Sequence, residues 1–203
     1  MARASILQSD ESYSFSRYFE LPYAIDDVLA EFDCSVERGT VALPQAEHLE
    51  DLQLLLWELE RNRQRIELIN EATRREALIG PVLFEACARA EQRLNIEYAI
   101  AVDDRLKGTL DYYVNSPQNL LVIEAKQSDL VKGFTQLGVE LIALDQWTRS
   151  EAPLLYGAVT TGEDWRFGVF HRAERRLCQD QRRFRVPEEL AELMAILVGI
   201  LQG

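Results

Sequence analysis

The stretch Gly108–Lys126, GTLDYYVNSPQNLLVIEAK, reads as two neighbouring strands joined by a turn. Leu121, Val122 and Ile123 are apolar without alternation, the pattern of a strand buried on both faces. Asp111 falls in the first strand. Glu124 and Lys126 end the second, two residues apart and therefore on one face. A carboxylate and an ammonium ending a buried strand are costly without a compensating partner, and a metal ion is one such partner. Asn115-Ser116-Pro117-Gln118 has the residue types of the connecting turn.

Working outward, apolar residues at three- and four-residue steps (Leu49, Leu52, Leu56, Leu59, Ile66, Ile69) predict one long helix from Ala46 to about Ile79. Leu52, Leu59 and Ile66 repeat every seven, so the helix either packs on its own domain or forms part of a dimer seam. Gly80-Pro81 predicts a break or kink, and Val82–Leu94 a second helix. Strands are expected over Ile96–Val102, Leu106–Val114 and Asn119–Lys126, then a helix over Asp129–Trp147 with Leu130, Phe134, Leu137, Leu141 and Leu144 on one face. Further strands are read at Leu154–Thr160 and Trp165–His171, with an edge strand at Arg176–Val186. Pro187 is expected to open a final helix. The fold class is therefore α/β: a mixed sheet with helices on its faces. Residues 1–45 are read as an N-terminal arm packing on the domain or on a second subunit, and 46–203 as the domain itself. Within the arm, Ile25–Phe32 suits a short amphipathic helix, and VERGTVALP a turn and a short strand ended by Pro44.

The formal charge is −12 over 203 residues. Residues 1–60 hold thirteen acids against Arg3, Arg17 and Arg38, a balance of −10, leaving −2 for the rest. That acidity disfavours non-specific nucleic-acid binding by the whole molecule, yet Trp165–Arg185 is locally basic, with seven arginines. Those arginines either track a phosphate backbone or solvate an edge strand. Cys34, Cys87 and Cys178 are widely spaced, and His48 and His171 have no partners by spacing, so a His/Cys zinc site is not expected. Without a phosphate-binding GxxxxGK[ST], a GxSxG or an HExxH, nucleotide hydrolysis, serine hydrolysis and zinc proteolysis have no support. The N-terminus has no leader-like apolar core and no run approaches about 18 apolar residues; the expectation is a cytoplasmic protein without membrane association.

Asp111 on one strand with Glu124 and Lys126 on the next suits metal-assisted phosphodiester cleavage. Magnesium takes hard oxygen ligands, often only one or two protein carboxylates plus waters; Asp111, Glu124 and the Ala125 carbonyl offer such a set. Lys126 would orient the attacking water or stabilise charge on the phosphate. Asp111-x12-Glu124-Ala125-Lys126, after a helix and a strand, resembles the PD-(D/E)xK nuclease superfamily, the restriction-endonuclease-like fold. The helix–three strands–helix–strand order matches that family's core (α-β-β-β-α-β), here with the N-terminal arm, long helix and C-terminal helix added. Glu71-Ala-Thr-Arg-Arg-Glu76-Ala-Leu-Ile-Gly-Pro81 is similar to a segment in the nuclease domains of type I restriction subunits. The resemblance implies a DNA-cleaving hydrolase using Mg2+, with Mn2+ able to substitute, and a first-helix acid, Glu71, directed at the metal. Glu76 and Glu85 are the alternatives for that role. Gln136 resembles a glutamine that several branches place on the following helix. Where the exonuclease branch has QxxxY, this chain has Gln136-xxx-Glu140, and Glu140 is read as a surface acid; Leu110 stands where the family name has proline. Asp103 and Asp104 read as turn residues. The competing expectation is a catalytically silent protein of the same fold that binds a protein partner, or a second copy, through its acidic N-terminal region.

Overall fold

The computed structural model describes residues 5–8, 10–49, 51–116 and 120–203. Two short helices, α1 (Phe15–Glu20) and α2 (Ile25–Ala30), lead into β1 (Ser35–Gly39). Next come α3 (Gln53–Arg65), α4 (Glu71–Arg74), a π-helical turn (Arg75–Ile79) and α5 (Gly80–Arg89). The strands β2 (Leu94–Ala101), β3 (Lys107–Asn115) and β4 (Leu120–Ala125) precede α6 (Leu130–Trp147). The chain continues through β5 (Leu154–Thr160), β6 (Asp164–His171), β7 (Arg176–Asp180) and β8 (Phe184–Arg185) to α7 (Leu190–Gln202). Pro117 and Gln118 of the expected turn, and Asn119 at the expected strand start, lie outside the described residues.

The strands form one mixed sheet in the order β1-β7-β6-β5-β4-β3-β2, with β8 pairing β6. β4 and β5 are parallel, as are β1 and β7; the other pairs are antiparallel. Parallel β4 and β5 require a crossover, and α6 makes it. Both faces are covered, which is why Leu121, Val122 and Ile123 are all buried. Leu121 and Ile123 pack with residues of α3, α5 and α7, including Leu59, Val82 and Leu197. Val122 packs with Phe134, Leu137 and Leu141 of α6 and with Phe15, Tyr18, Val28 and Leu29 of the first two helices. α6 thus lies between the sheet and the N-terminal helices, and every residue from Gly133 to Leu144 is buried.

The expected long helix is divided. It starts at Gln53, where Asp51 Oδ1 accepts the Gln53 amide at 2.8 Å, and stops at Arg65, where Ile66 turns extended. It restarts behind Asn70, whose side chain accepts the Thr73 amide while the Thr73 hydroxyl takes the Asn70 amide, a capping box. Leu55, Leu59 and Asn62 face the core, whereas Ile66 and Ile69 are exposed, so the heptad does not persist and α3 packs on its own domain. Nor do Gly80 and Pro81 break the helix. The backbone widens into the π turn, with the Gly80 amide bonded to Arg75 O, and α5 follows directly. Pro81 has no N–H to give Ala77 O four residues earlier; Asn62 Nδ2 donates to that carbonyl instead, at 2.9 Å.

Two expectations at the C-terminal end also change. β7 is interior, because β1 adds to it in parallel from Ser35↔Arg176 to Gly39↔Asp180. β1 therefore forms the edge, earlier than the strand expected near Pro44. Pro187 lies in a turn, and α7 begins at Leu190. Residues read as an arm contribute α1, α2 and this edge strand to the same two-faced core.

Candidate functional site

The site forms where β3 and β4 part. Their ladder runs from Asn115↔Leu120 to Tyr112↔Ile123. One step further Asp111 stands opposite Glu124, and the next amide, Ala125 N–H, is taken by Asp111 Oδ2 at 2.9 Å in place of a backbone carbonyl. Lys126 N–H is given to Thr160 O on the β5 side. Because successive peptide groups in a strand point to opposite sides, the Ala125 carbonyl points to the β3 side with Asp111. The β2–β3 pairing is interrupted at the same level: Ile96↔Tyr112 and Tyr98↔Leu110 pair, Glu97 does not, and Glu97 has φ 54°. A non-glycine residue held there is strained. Arg75 Nη1, from the π turn, bridges the gap, 3.0 Å from Glu97 Oε1 and 3.3 Å from Asp111 Oδ1.

A cleft of about 280 Å3 opens over this point, lined by Asp111, Glu124, Lys126, Gln136 and Glu71 together with Ser14, Phe15, Ser16, Gly108 and Thr109. All five side chains singled out from sequence meet there, brought from α4, β3, β4, α6 and the turn after β4. Of the three acids weighed on the first helical segment, Glu71 is the one in the cleft, its Oε2 3.8 Å from Lys126 Nζ; Glu85 pairs with Arg89 and Glu76 is exposed. Lys126 Nζ also donates to Glu124 Oε1 in a short contact, and lies 5.1 Å from the centroid of the Phe19 ring.

Glu140 is not a surface acid. It is fully buried, and Gln136 Nε2 donates to both Glu124 Oε1 (2.7 Å) and Glu140 Oε1 (2.8 Å). The spacing of Gln136 and Glu140 on one helical face was legible, but their burial comes from the packing of α6 on the sheet, where both meet Glu124 of β4. Burial, then repulsion from Glu140 and Asp111, raises the Glu124 pKa well above the carboxylate range against the pull of Lys126. Burial likewise pushes Glu140 up to about 7. Two desolvated carboxylates bridged by one amide group hold one proton between them. Burial works to lower the Lys126 pKa, but Glu124, Glu71 and Asp111 outweigh it and the net shift is upward. Burial raises Glu71 as well, against Lys126. Arg75, missed from sequence, has its pKa raised: burial opposes the shift, and Tyr112, Asp111 and Glu97 produce it.

Oxygen ligands for a hard cation are at hand. Glu124 Oε2, Gln136 Oε1 and Glu140 Oε2 are buried without a hydrogen-bond partner, and such atoms are rare unless something binds them. Asp111, Glu124, Glu71 and Glu140 against Arg75 and Lys126 leave two negative charges in excess before protonation. Among the described residues no three His, Cys, Asp or Glu side chains form a ready-made cage; magnesium, which keeps several waters, uses one or two carboxylates. The Asp111, Glu124 and Ala125 oxygens fit that requirement.

Three arginines of the basic stretch near the C-terminus serve the fold, while Arg183 and Arg185 stay exposed. Arg172 binds Asp145 and the carbonyls of Ser150 and Ala152, Arg175 the Phe32 carbonyl, and Arg182 Asp180 and the Val41 carbonyl. Asp103 and Asp104 act as turn residues, Asp103 Oδ1 accepting the Arg105 and Leu106 amides. No helix among the described residues is long and apolar enough to cross a membrane. No protein-family model, curated protein or solved structure matches the chain.

Proposed function

We propose that the protein is a cytoplasmic, Mg2+-dependent nuclease that hydrolyses DNA phosphodiester bonds in this cleft. The observation that carries the reading is the meeting of Asp111, Glu124, Lys126, Gln136 and Glu71 in one cleft whose buried carboxylate keeps an unpartnered oxygen. The order α5-β2-β3-β4-α6-β5 supports a restriction-endonuclease-like core. Asp111, Glu124 and the Ala125 carbonyl are the residues that would hold the ion. Bound there, a divalent cation would polarise the phosphate and acidify its water.

The chain's own residues do the rest. Gln136 fixes the Glu124 carboxylate with one N–H and Glu140 with the other. Lys126, held between Glu124 and Glu71, presents a desolvated ammonium to charge developing on the phosphate. Glu71, half-exposed and with its pKa raised by burial, is placed at the mouth to take a proton from the attacking water. Incubation of the purified protein with plasmid and single-stranded DNA tests the reading. Cleavage is expected with Mg2+ or Mn2+, absent in EDTA and absent in Lys126→Ala. No cleavage of any DNA, or equal cleavage by Lys126→Ala, would refute it.

One observation favours the alternative of a silent partner-binding protein. Lys126 on Glu124 and Arg75 on Asp111 already neutralise both carboxylates, and such a network holds the fold without metal. Calorimetry with Mn2+ separates the two: binding lost in Asp111→Ala supports the nuclease, and no binding by the wild type supports the silent form.

A further inference from the structure

The wall of the cleft comes from the N-terminal segment, and it is fastened down. Tyr13 N–H donates to Asp104 O at 2.8 Å, Ser14 bridges Lys107, and the buried Tyr18 hydroxyl donates to Arg105 O at 2.7 Å. Phe15 packs where Gly108 has no side chain: a Cβ there would lie 2.7 Å from the Phe15 ring. Under this wall Glu124 is 1% exposed, Gln136 5% and Lys126 7%. A phosphate that reacts at Lys126 must therefore leave the surface and descend between α1 and α4.

That descent selects the substrate. Duplex DNA is stiff over a persistence length of about 150 base pairs and cannot lower one phosphate into a cleft of about 280 Å3 while its neighbours stay outside. A single strand bends at each nucleotide. Sites for single strands pair a phosphate-binding group with an aromatic face on which a base stacks, and the Lys126 ammonium lies over one face of the partly exposed Phe19 ring, 5.1 Å from its centroid. The exposed Ser14 and Ser16 hydroxyls lie 3.1 Å apart, with no other partner among the described residues.

We propose that the cleft takes single-stranded DNA, with Phe19 stacking a base beside the scissile phosphate and the Ser14 and Ser16 hydroxyls holding the phosphate next to it. This rests on the nuclease reading above and adds the form of DNA that reaches the site.

The test uses the full chain and a labelled single strand of about 16 nucleotides, free or annealed into a blunt duplex. Binding is read by fluorescence anisotropy in Ca2+, and cleavage in Mn2+. The single strand is expected to bind and be cut at least about tenfold better than the duplex, with a salt dependence shallow enough to mean one or two neutralised phosphates. Phe19→Leu, which keeps an apolar cover, should weaken single-strand binding on the order of tenfold. Phe19→Trp, which keeps a stacking face, should retain it, and thermal melts check that both variants fold. Ser14→Ala combined with Ser16→Ala should raise KM for the single strand without lowering kcat. Equal cutting of the duplex, or unchanged binding by Phe19→Leu, overturns this proposal and leaves the nuclease reading standing. A wild type that neither binds nor cuts either form overturns both.

Discussion

Replacing Glu140 with glutamine should make the protein more stable at alkaline pH and leave it unchanged at acid pH. Glu140 is fully buried, and Gln136 Nε2 donates to its Oε1 at 2.8 Å. An acid whose pKa rises on folding contributes stability that is fully present below its unfolded value and is lost as pH climbs through its folded value. From the ordinary 4.5 to about 7, at about 1.4 kcal/mol per pH unit, ionising this group costs the fold about 3 kcal/mol. Part of that belongs to the shared proton with Glu124, so about 1–3 kcal/mol is expected from Glu140 alone. Glutamine keeps an acceptor for the Gln136 amide and turns two donors toward the Glu124 carboxylate, so the geometry survives without a charge. Urea denaturation in EDTA at pH 5 and pH 8 measures the difference. The wild type should lose stability between the two, and Glu140→Gln should lose much less, overtaking it at the higher pH. A variant destabilised equally at both values would show that burial does not force a proton onto this pair.

Three further outcomes follow from single contacts. Lys126→Met, which keeps length and loses charge, should lower DNA cleavage on the order of a hundredfold or more while calorimetry still detects Mn2+ binding; activity within a few-fold of wild type would remove Lys126 from the chemistry. Asn62→Ala leaves the Ala77 carbonyl without its donor and should cost about 1–3 kcal/mol in urea unfolding; in a Pro81→Ala background, where an N–H is restored, the same change should cost less. Gly108→Ala meets both a φ of 149° and the Phe15 ring at 2.7 Å, and should destabilise by about 1–3 kcal/mol and shift α1, which loss of cleavage at the neighbouring site would report.

The readable parts of this chain were those decided over a few residues. The unalternating Leu121–Ile123 run and the two-residue step from Glu124 to Lys126 set which strand is buried on both faces and which side chains share its face. The leucine spacing of α6 located a helix within a residue of its observed ends. Less was readable where one pattern serves two structures. The apolar steps from Leu49 to Ile69 continue across the gap between α3 and α4, and only the cap at Asn70 hints that a helix restarts there. Pro81 signals a break in any local reading. It is accommodated because Asn62, nineteen residues earlier, bonds the carbonyl that proline leaves free.

By itself, then, the sequence determined the mixed α/β plan, a strand buried on both faces and the residues of the D…ExK stretch, because strand alternation and helical periodicity are local consequences of backbone geometry. Tertiary structure alone decided what surrounds them. Glu140 is shut from water by the packing of α6 against the sheet, where Gln136 ties it to Glu124 of β4. The partners of Arg75 and the depth of the cleft likewise come from long-range packing. A carboxylate's chemistry is set by its solvation and its neighbours, and neither is written in the residues beside it.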